Sequence, residues 1–517
     1  MAISTHAMLF NSNTFLFAFM PLVLAGFFAA KNFAGGRAAQ FWLAACSVGF
    51  YASAGLALLP PLALSIFVNF LIGRALTRQH LRGKPTAALL LAGIGFDLLL
   101  LGWFKYADFA VANLNSLGLH LASPGIALPL GISFYTFTQI AFLADAARGL
   151  ASEYDILRYV LFVTFFPHLI AGPIIHHREM MPQFAPERLT ARIFDQLPKA
   201  LMLFSIGLAK KVLLADGFAT LARPVFDNAA HGLMPDTIAA WCATLAYTFQ
   251  IYFDFSGYSD MALALALMFG IRLPVNFLSP YKSLSIIGFW RTWHMTLSRF
   301  LRDYVYIPLG GNRHGPWRRY ANLIIVMSVG GLWHGAGWTF LIWGALHGFY
   351  LLVNHAWRSL AGRWSFASLS PWSGRLITFV AVALAWVLFR ADTFAAARMI
   401  FAAMFGVNGV AISANALSAL GFPNGIDLGA IRIVPLLTAQ LGQAQVILSC
   451  LAGLAFVWLL PNSMELTGFA PRPHGALARM FEFRSAAQFA VATAVCLFAC
   501  ISAINSGAPS AFIYYRF

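Results

Sequence analysis

The chain has 517 residues, of which 60% are hydrophobic and only 10% are charged, with a mean hydropathy of +0.74. Soluble globular domains carry ~25% charged residues, so this balance excludes one and implies a polytopic membrane protein. The 34 Lys and Arg against 18 Asp and Glu fit the positive-inside rule rather than nucleic-acid binding, because many sit in short basic loops such as Arg74, Arg78, Arg82 and Lys84.

Apolar segments near the length needed for a ~30 Å hydrocarbon core recur along the chain. They cover 14–30, 40–56, 59–72, 87–104, 127–143, 156–175, 197–214, 238–253, 322–333, 338–353, 376–389, 444–460 and 487–504. About ten to thirteen membrane elements are expected, some shorter than a full span. The first reads as a retained anchor with its N-terminus outside, since Lys31 and Arg37 follow it and no basic stretch precedes it. No interval of ~100 residues escapes the pattern, so a single integral membrane domain over 1–517 is predicted. No internal repeat is visible, which weakens a transporter built from inverted repeats. The polar stretches are 178–199, 272–315, 358–375 and 461–484. Cys46, Cys242, Cys450, Cys496 and Cys500 lie in apolar runs without metal spacing and read as small hydrophobes.

Three places depart from a simple bundle. Segment 156–175 has basic residues on both flanks and contains Pro167, Gly172 and Pro173. That suits a broken or re-entrant element, with a kinked span as the alternative. In "FQIYFDFSGYSDMALALALMFGIRLPVNF" (249–277), Asp254 and Asp260 lie in or beside an apolar run, so they need partners; Arg272, Arg291 and Arg302 are candidates. "FWRTWHMTLSRFLRDYVYIPLGGNR" (289–313) interleaves aromatics with cations, the composition of a helix lying at the interface. Such a helix either anchors the bundle or lines the entrance for an anionic donor, presenting His294 inward.

In "GLWHGAGWTFLIWGALHG" (331–348), His334 is bracketed by Gly330, Gly331, Gly335 and Gly337. Arg313, Arg318 and Arg319 precede the segment; Arg358 and Arg363 follow it. If both basic groups share one side, the chain must enter and return. From Ala321 to His334 a helix reaches only about 20 Å, so His334 is expected at the apex of a re-entrant hairpin, two tilted spans being the alternative. A titratable group so placed is a functional candidate.

These stretches, with "LPLGISFYTFTQIAFLADAARG" (128–149) and "FFPHLIAGPI" (165–174), resemble in sequence and order the membrane-bound O-acyltransferase (MBOAT) family. The likeness covers roughly 8–400, with C-terminal helices over 401–517, and is nearest to the bacterial branch of alginate O-acetylation; the C-terminal "FIYYRF" also looks like that branch. The resemblance implies an all-α, multi-helix bundle with re-entrant elements around a transmembrane tunnel. It places the family's essential histidine at His334 and a second at His294, with the donor taken from the cytoplasm and the acceptor met outside. The sequence departs from the family at Asp97, which is expected to be neutral or paired with Lys105.

Removing a proton from a sugar hydroxyl as it attacks a thioester suits imidazole, whose ordinary pKa is about 6.5. His334 is therefore the expected general base and His294 an orienting or second proton-transfer group. Trp290, Trp293, Trp333 and Trp338 are expected to wall the tunnel, with Asp254, Arg291 and Arg302 as donor-binding candidates. Belt or core packing is the alternative for any one of these indoles. His347 is expected to be structural, and the adjacent His176 and His177 are poorly placed to chelate one metal, so no metal site is predicted. No G-x-S-x-G elbow or P-loop is present.

The predicted function is an O-acetyltransferase of the bacterial inner membrane. It moves acetyl groups from cytoplasmic acetyl-CoA towards an exported, alginate-like polysaccharide, directly or through a periplasmic partner transferase. Membrane lipid is its surroundings and no bound cofactor is expected. Peptidoglycan O-acetylation and teichoic acid D-alanylation are alternatives within the class; an acyl-group or lipid transporter, with His334 as a proton relay, is the alternative outside it.

Overall fold

The computed structural model describes residues 8–189, 196–361, 370–412, 431–433, 442–470, 485–507 and 510–513. Arg192, Arg363, residues 471–484 and the last four residues of "FIYYRF" lie outside them. A π-turn (Phe15–Phe19) opens α1 (Met20–Ala52). Within α1, Gly35 has φ 85°, and Trp42 Nε1 donates to Val23 O at 3.0 Å. Residues 19 apart in one helix lie roughly 28 Å apart. The chain therefore reverses at Gly35 and its two arms lie side by side, matching segments 14–30 and 40–56.

α2 (Leu59–Leu81) and α3 (Ala87–Leu101) follow, and α3 runs through a π-turn, Gly102–Tyr106, into α4 (Ala107–Ser116). α5 (Ile132–Ala147) is buried along its whole length against α2 and α3. Segment 156–175 is broken, as expected from its prolines. α6 (Ile156–Thr164) stops at Phe165, where ψ is 106°, and one turn, α7 (Phe166–Leu169), restarts with Pro167 in its first turn, where a missing N–H breaks no helical bond.

After α8 (His177–Met180), α9 (Leu197–Ala209) passes through a π-turn, Lys210–Ala215, into α10 (Asp216–Ala230). α11 (Thr237–Met268) is the central post. Apart from a few polar residues, Asp254 and Asp260 among them, it is apolar or small all round, and it is nearly all buried, as such a helix requires. α9, α10, α16 and α17 pack around it, the last two being Pro371–Arg390 and Phe394–Met404.

The interfacial segment 289–313 is not one helix. It divides into α12 (Ile286–Trp290), α13 (Met295–Leu301) and a π-turn, Arg302–Tyr306. The break is His294, whose φ of 42° and ψ of 54° are left-handed, a conformation no right-handed helix passes through. The amphipathic character remains: Arg291 and the Arg302 side chain are exposed, while Trp293, His294 and Leu297 are buried.

α14 (Gly315–His334) and α15 (Trp338–Ala361) form an antiparallel hairpin. A Cβ on Gly331 would stand 2.2 Å from Phe340 O, one on Gly344 2.2 Å from Met327 O, and one on Gly348 2.9 Å from Ile324 Cα. Backbone meets backbone along this seam, so only glycine fits. The turn at 335–337 lies at one end, and Arg318, Arg319 and Arg358 lie at the other. His334 is thus at the turn, as predicted, but the argument from shortness fails. α14 begins at Gly315, and its 20 residues rise about 30 Å, the thickness of a hydrocarbon core.

A small parallel ladder pairs β1 (Val410–Ile412) with β2 (Ile431–Ile433). Then come α18 (Gln443–Leu459), α19 (Ser463–Leu466) and α20 (Ala486–Ser506), which dock on α11 and α9. Apart from that ladder the described architecture is all-α. Among the described residues, five helical stretches are long and apolar enough to cross a membrane: Phe15–Ala52, which folds back at Gly35, Leu56–Leu81, Ala87–Ser116, Pro371–Arg390 and Ala487–Ser506. The chain is a multi-pass membrane protein.

Gly344→Ala should force α14 and α15 apart and cost about 1–3 kcal/mol, the range for overpacking a close-packed seam. A lowered thermal unfolding midpoint of the purified protein would show it; an unchanged midpoint would mean the seam yields freely.

Candidate active site

α14 ends at His334 inside the protein, and a helix that ends away from water leaves its last carbonyls without helical partners. The π-turn after α3 supplies them. Lys105 Nζ donates to Trp333 O at 2.5 Å and to His334 O at 3.3 Å, and Tyr106 Oη donates to Leu332 O at 2.6 Å. The same ammonium donates to Ser133 Oγ at 3.0 Å. A cation at a helix C-terminus also opposes the negative end of the helix dipole. Lys105 therefore does not pair with Asp97, as one expectation held; Asp97 accepts from Asn69 Nδ2 at 2.7 Å instead.

His334 is 2% exposed and its ring centroid lies 6.3 Å from that of His294, which is fully buried. His294 and Ser279 have the only positive φ among described non-glycine residues, and such strain in a fixed loop marks positions held for function. His294 Nδ1 is 3.1 Å from Asn276 Oδ1. That oxygen also accepts from the Thr296 N–H at 3.2 Å and from Thr296 Oγ1 at 3.0 Å. An oxygen can only accept, so in the uncharged ring the proton is on Nδ1 and the lone pair on Nε2. Nε2 is buried and meets no partner within the protein. Asn276 thus fixes the tautomer that leaves the Nε2 lone pair unused.

Trp333 lies against both histidines, at 5.8 Å from His294 and 4.9 Å from His334. It is stacked on Phe137 at 5.4 Å and donates Nε1–H to Ser133 O at 3.1 Å. Trp343 and Phe389 close on His334 edgewise, at 5.3 and 5.2 Å. Trp293 is buried one layer out, 5.0 Å from Trp386. Trp290 is half-buried and stands over His347 rather than His334.

Other predicted residues are not brought here. Trp338 is 52% exposed and donates to Asn113 Oδ1 at 2.8 Å. Arg291 is exposed, and the exposed Arg302 pairs with its neighbour Asp303 at 2.7 Å.

Nor does Asp254 pair with Arg272, Arg291 or Arg302. Its partner is Lys211, at 2.7 Å, while Lys210 holds Asp260 at 2.7 Å. Consecutive residues of a regular α-helix point 100° apart, but the wider π-turn Lys210–Ala215 lets both lysines reach α11. Lys211 also donates to Asp216 Oδ1 at 2.8 Å, to Ser510 Oγ at 2.7 Å and to Ala511 O at 3.2 Å. Asp254 Oδ2 accepts the Ile513 N–H at 2.8 Å. The C-terminal segment is therefore tied to a buried ion cluster. Lys105, Asn276 and Lys211 were all missed as site residues, although two lysines in one apolar run and two aspartates in another were a readable sign of pairing.

A cavity of about 730 Å³ lies beside the ion cluster and reaches Phe389, whose ring touches His334, without being lined by either histidine. Ala336, Gly337 and Phe340 at the hairpin turn and Phe389 beside His334 form one wall; Lys211, Asp216 and Asp254 form another. Among the described residues no cluster of ligating side chains is placed to hold a metal.

The chain belongs to the membrane-bound O-acyltransferase (MBOAT) family, which it matches over residues 48–392. It is therefore a membrane O-acyltransferase. It is 41% identical to the peptidoglycan O-acetyltransferase of Helicobacter pylori over 449 residues, 81% of this chain and 84% of that one. It is also 41% identical to the probable alginate O-acetylase AlgI of Pseudomonas putida over 411 residues, 77% of this chain and 80% of that one. Identity to the teichoic acid D-alanyltransferase of Streptococcus thermophilus is 29% over 290 residues, 50% of this chain and 68% of that one.

Lys105→Met should leave the last carbonyls of α14 unheld and lower acyl transfer by about 10- to 100-fold, since ångström-scale misplacement of a reacting group costs this much. Lys105→Arg should recover part of it; transfer at the wild-type rate in Lys105→Met would remove the positioning role. Lys211→Met leaves Asp254 buried and uncompensated and should cost about 3–5 kcal/mol, whereas Lys211→Met with Asp254→Leu should regain most of that. Thermal unfolding of both variants reads the difference, and equal destabilisation would refute the pairing.

Proposed function

We propose that the protein transfers acetyl groups from a thioester donor, acetyl-CoA in the cytoplasm, to hydroxyls of an exported polysaccharide. The observation that carries the reading is the pair of buried imidazoles, His334 at the hairpin turn and His294, with its tautomer fixed, packed near it, one ring away from a cavity large enough for a sugar. The names of the relatives support acetyl as the group and a glycan as the acceptor.

On this reading His334 is the general base. The hydroxyl oxygen attacks the thioester carbonyl carbon while its proton passes to the imidazole. The C–S bond then breaks, the thiolate takes the proton back, and an ester and a free thiol remain. His294, with its Nε2 lone pair free and Nδ1 held by Asn276, orients the incoming hydroxyl or shares its proton. The indoles exclude water, which would otherwise hydrolyse the donor. Delivery is direct or through a periplasmic partner transferase. The bacterial inner membrane is the setting that a cytoplasmic donor and an exported polymer require.

The acceptor has two readings. Similar identity to a peptidoglycan O-acetyltransferase and to probable alginate O-acetylases keeps peptidoglycan beside an alginate-like polymer. D-alanylation is less favoured, because that relative is more distant and matches half of this chain.

Replacing the base should cost roughly 10²–10⁴-fold in rate. His334→Gln, present in the membrane at the wild-type level, should abolish acetylation of the exported polymer and the release of free thiol from acetyl-CoA. Unchanged acetyl content in such cells would overturn the assignment. Movement of acetyl groups across vesicles without thiol release would favour transport.

A further inference from the structure

The cavity beside the ion cluster has a neighbour. A groove of about 410 Å³ runs between α10 with its preceding π-turn and α18, and Thr220 borders both spaces. Phe218 and Phe253 are buried and form the floor of the groove, while Leu213 and Phe456 are exposed at its rim. A Cβ on Gly217, which also lines it, would meet nothing within 4 Å, so the groove is open there.

The groove offers almost nothing polar. Its two hydroxyls are committed to their own helices: Thr220 Oγ1 donates to Gly217 O at 2.7 Å, and Ser449 Oγ donates to Gln445 O at 2.8 Å. It is an apolar space within the ~300–1,000 Å³ range of ligand sites, on the outside of a membrane protein.

The charge at its upper end is of a different kind. Lys211 is paired with Asp216 and Asp254, and Arg390 with Asp227 and Asp392. Arg223 also lines the cavity, is exposed, and forms no ion pair among the described residues. From Leu213 to Arg223 the chain rises about 15 Å, half of a ~30 Å hydrocarbon core. Arg318, Arg319 and Arg358 mark the cytoplasmic side by the positive-inside rule. The cavity lies at the opposite, turn end of that hairpin, so Arg223 is on the side of the outer leaflet.

Apolar surface for one leaflet's depth, ending at an unpaired guanidinium, has the dimensions of a lipid chain and its phosphate. Guanidinium matches phosphate in charge and in its paired donors. A soluble anion would leave the groove unfilled, and a peptide would bring backbone amides to walls that have no partner for them.

We propose that a phospholipid of the outer leaflet resides here, with one acyl chain in the groove and its phosphate on Arg223. The lipid then completes the side of the cavity next to Thr220 and separates it from the bilayer.

The test uses the full-length protein in phosphatidylcholine vesicles that contain a trace of phosphatidylglycerol with a diazirine in one acyl chain. After illumination, label should be enriched on peptides containing 213–221 and 449–456. Gly217→Leu puts a side chain into the open groove and should reduce that label about tenfold or more, the cost of displacing roughly two buried methylenes. Arg223→Gln should reduce it about fivefold, and Arg82→Gln, in a basic loop elsewhere, should leave it unchanged. Diacylglycerol with the same photoreactive chain has no phosphate, so it should label wild type and Arg223→Gln equally and weakly.

Label spread evenly over the exposed helices, or unchanged in Gly217→Leu, would overturn the site. Equal labelling by the two lipids in wild type would overturn the phosphate contact. Loss of the label on adding an equal amount of a polyprenyl-diphosphate disaccharide would give the groove to a lipid-linked glycan and overturn the resident phospholipid. Should Gly217→Leu fail to fold, Ala452→Phe narrows the groove from α18 and is read in the same way.

Discussion

A helix that ends inside the protein must have its final carbonyls met by something, and in α14 that requirement decides where the chemistry sits. Lys105 and Tyr106 take the carbonyls of Leu332, Trp333 and His334. The π-turn that carries them widens the helix so that both side chains project towards the hairpin. Without those donors the last turn of α14 would fray, or the helix would continue and carry His334 elsewhere. The position of the proposed base thus depends on a lysine 229 residues earlier in the chain.

The second histidine is fixed by different means. His294 is held by a left-handed backbone and by Asn276, whose side-chain oxygen collects three donors. Strain at one residue and a satisfied network around it offset each other, and the outcome is a ring with one nitrogen committed and the other available.

Much of this was legible in the sequence, and the part that was not has a common cause. Hydrophobic runs, glycines and prolines act locally, so the hairpin turn at His334, the break near Pro167 and the amphipathic segment 289–313 could be read from spacing. Pairing between distant segments leaves no local trace. Asp254 was matched to three arginines because they were near in sequence and cationic, while its partner, Lys211, lies within an apolar run that had been read only as a span. Lys105 was matched to Asp97 eight positions earlier for the same reason. Trp338 looked like a tunnel wall because it follows the histidine closely, but as the first residue of α15 it points outward to Asn113. The length argument for re-entry failed because basic residues were taken to end a membrane helix, whereas α14 runs on through Arg318 and Arg319.

The surroundings of His334 differ on its two sides, and the difference bears on how one site would handle two unlike substrates. Towards the cavity lie Lys211, Asp216, Asp254, Arg390 and Asp392, a charged wall that on the proposed reading suits a hydroxyl-rich glycan. Towards Trp343 and His347 lie packed aromatic faces with a few isolated N–H groups, a far less polar side. A hydroxyl is a poor nucleophile in bulk water and water is its main competitor. On the proposed reading the two substrates therefore have reason to meet only at the narrow place between these environments, where Trp333, Trp343 and Phe389 leave room for the imidazoles and little else. Selectivity for a sugar hydroxyl over water would then come from the geometry of approach rather than from the strength of the base.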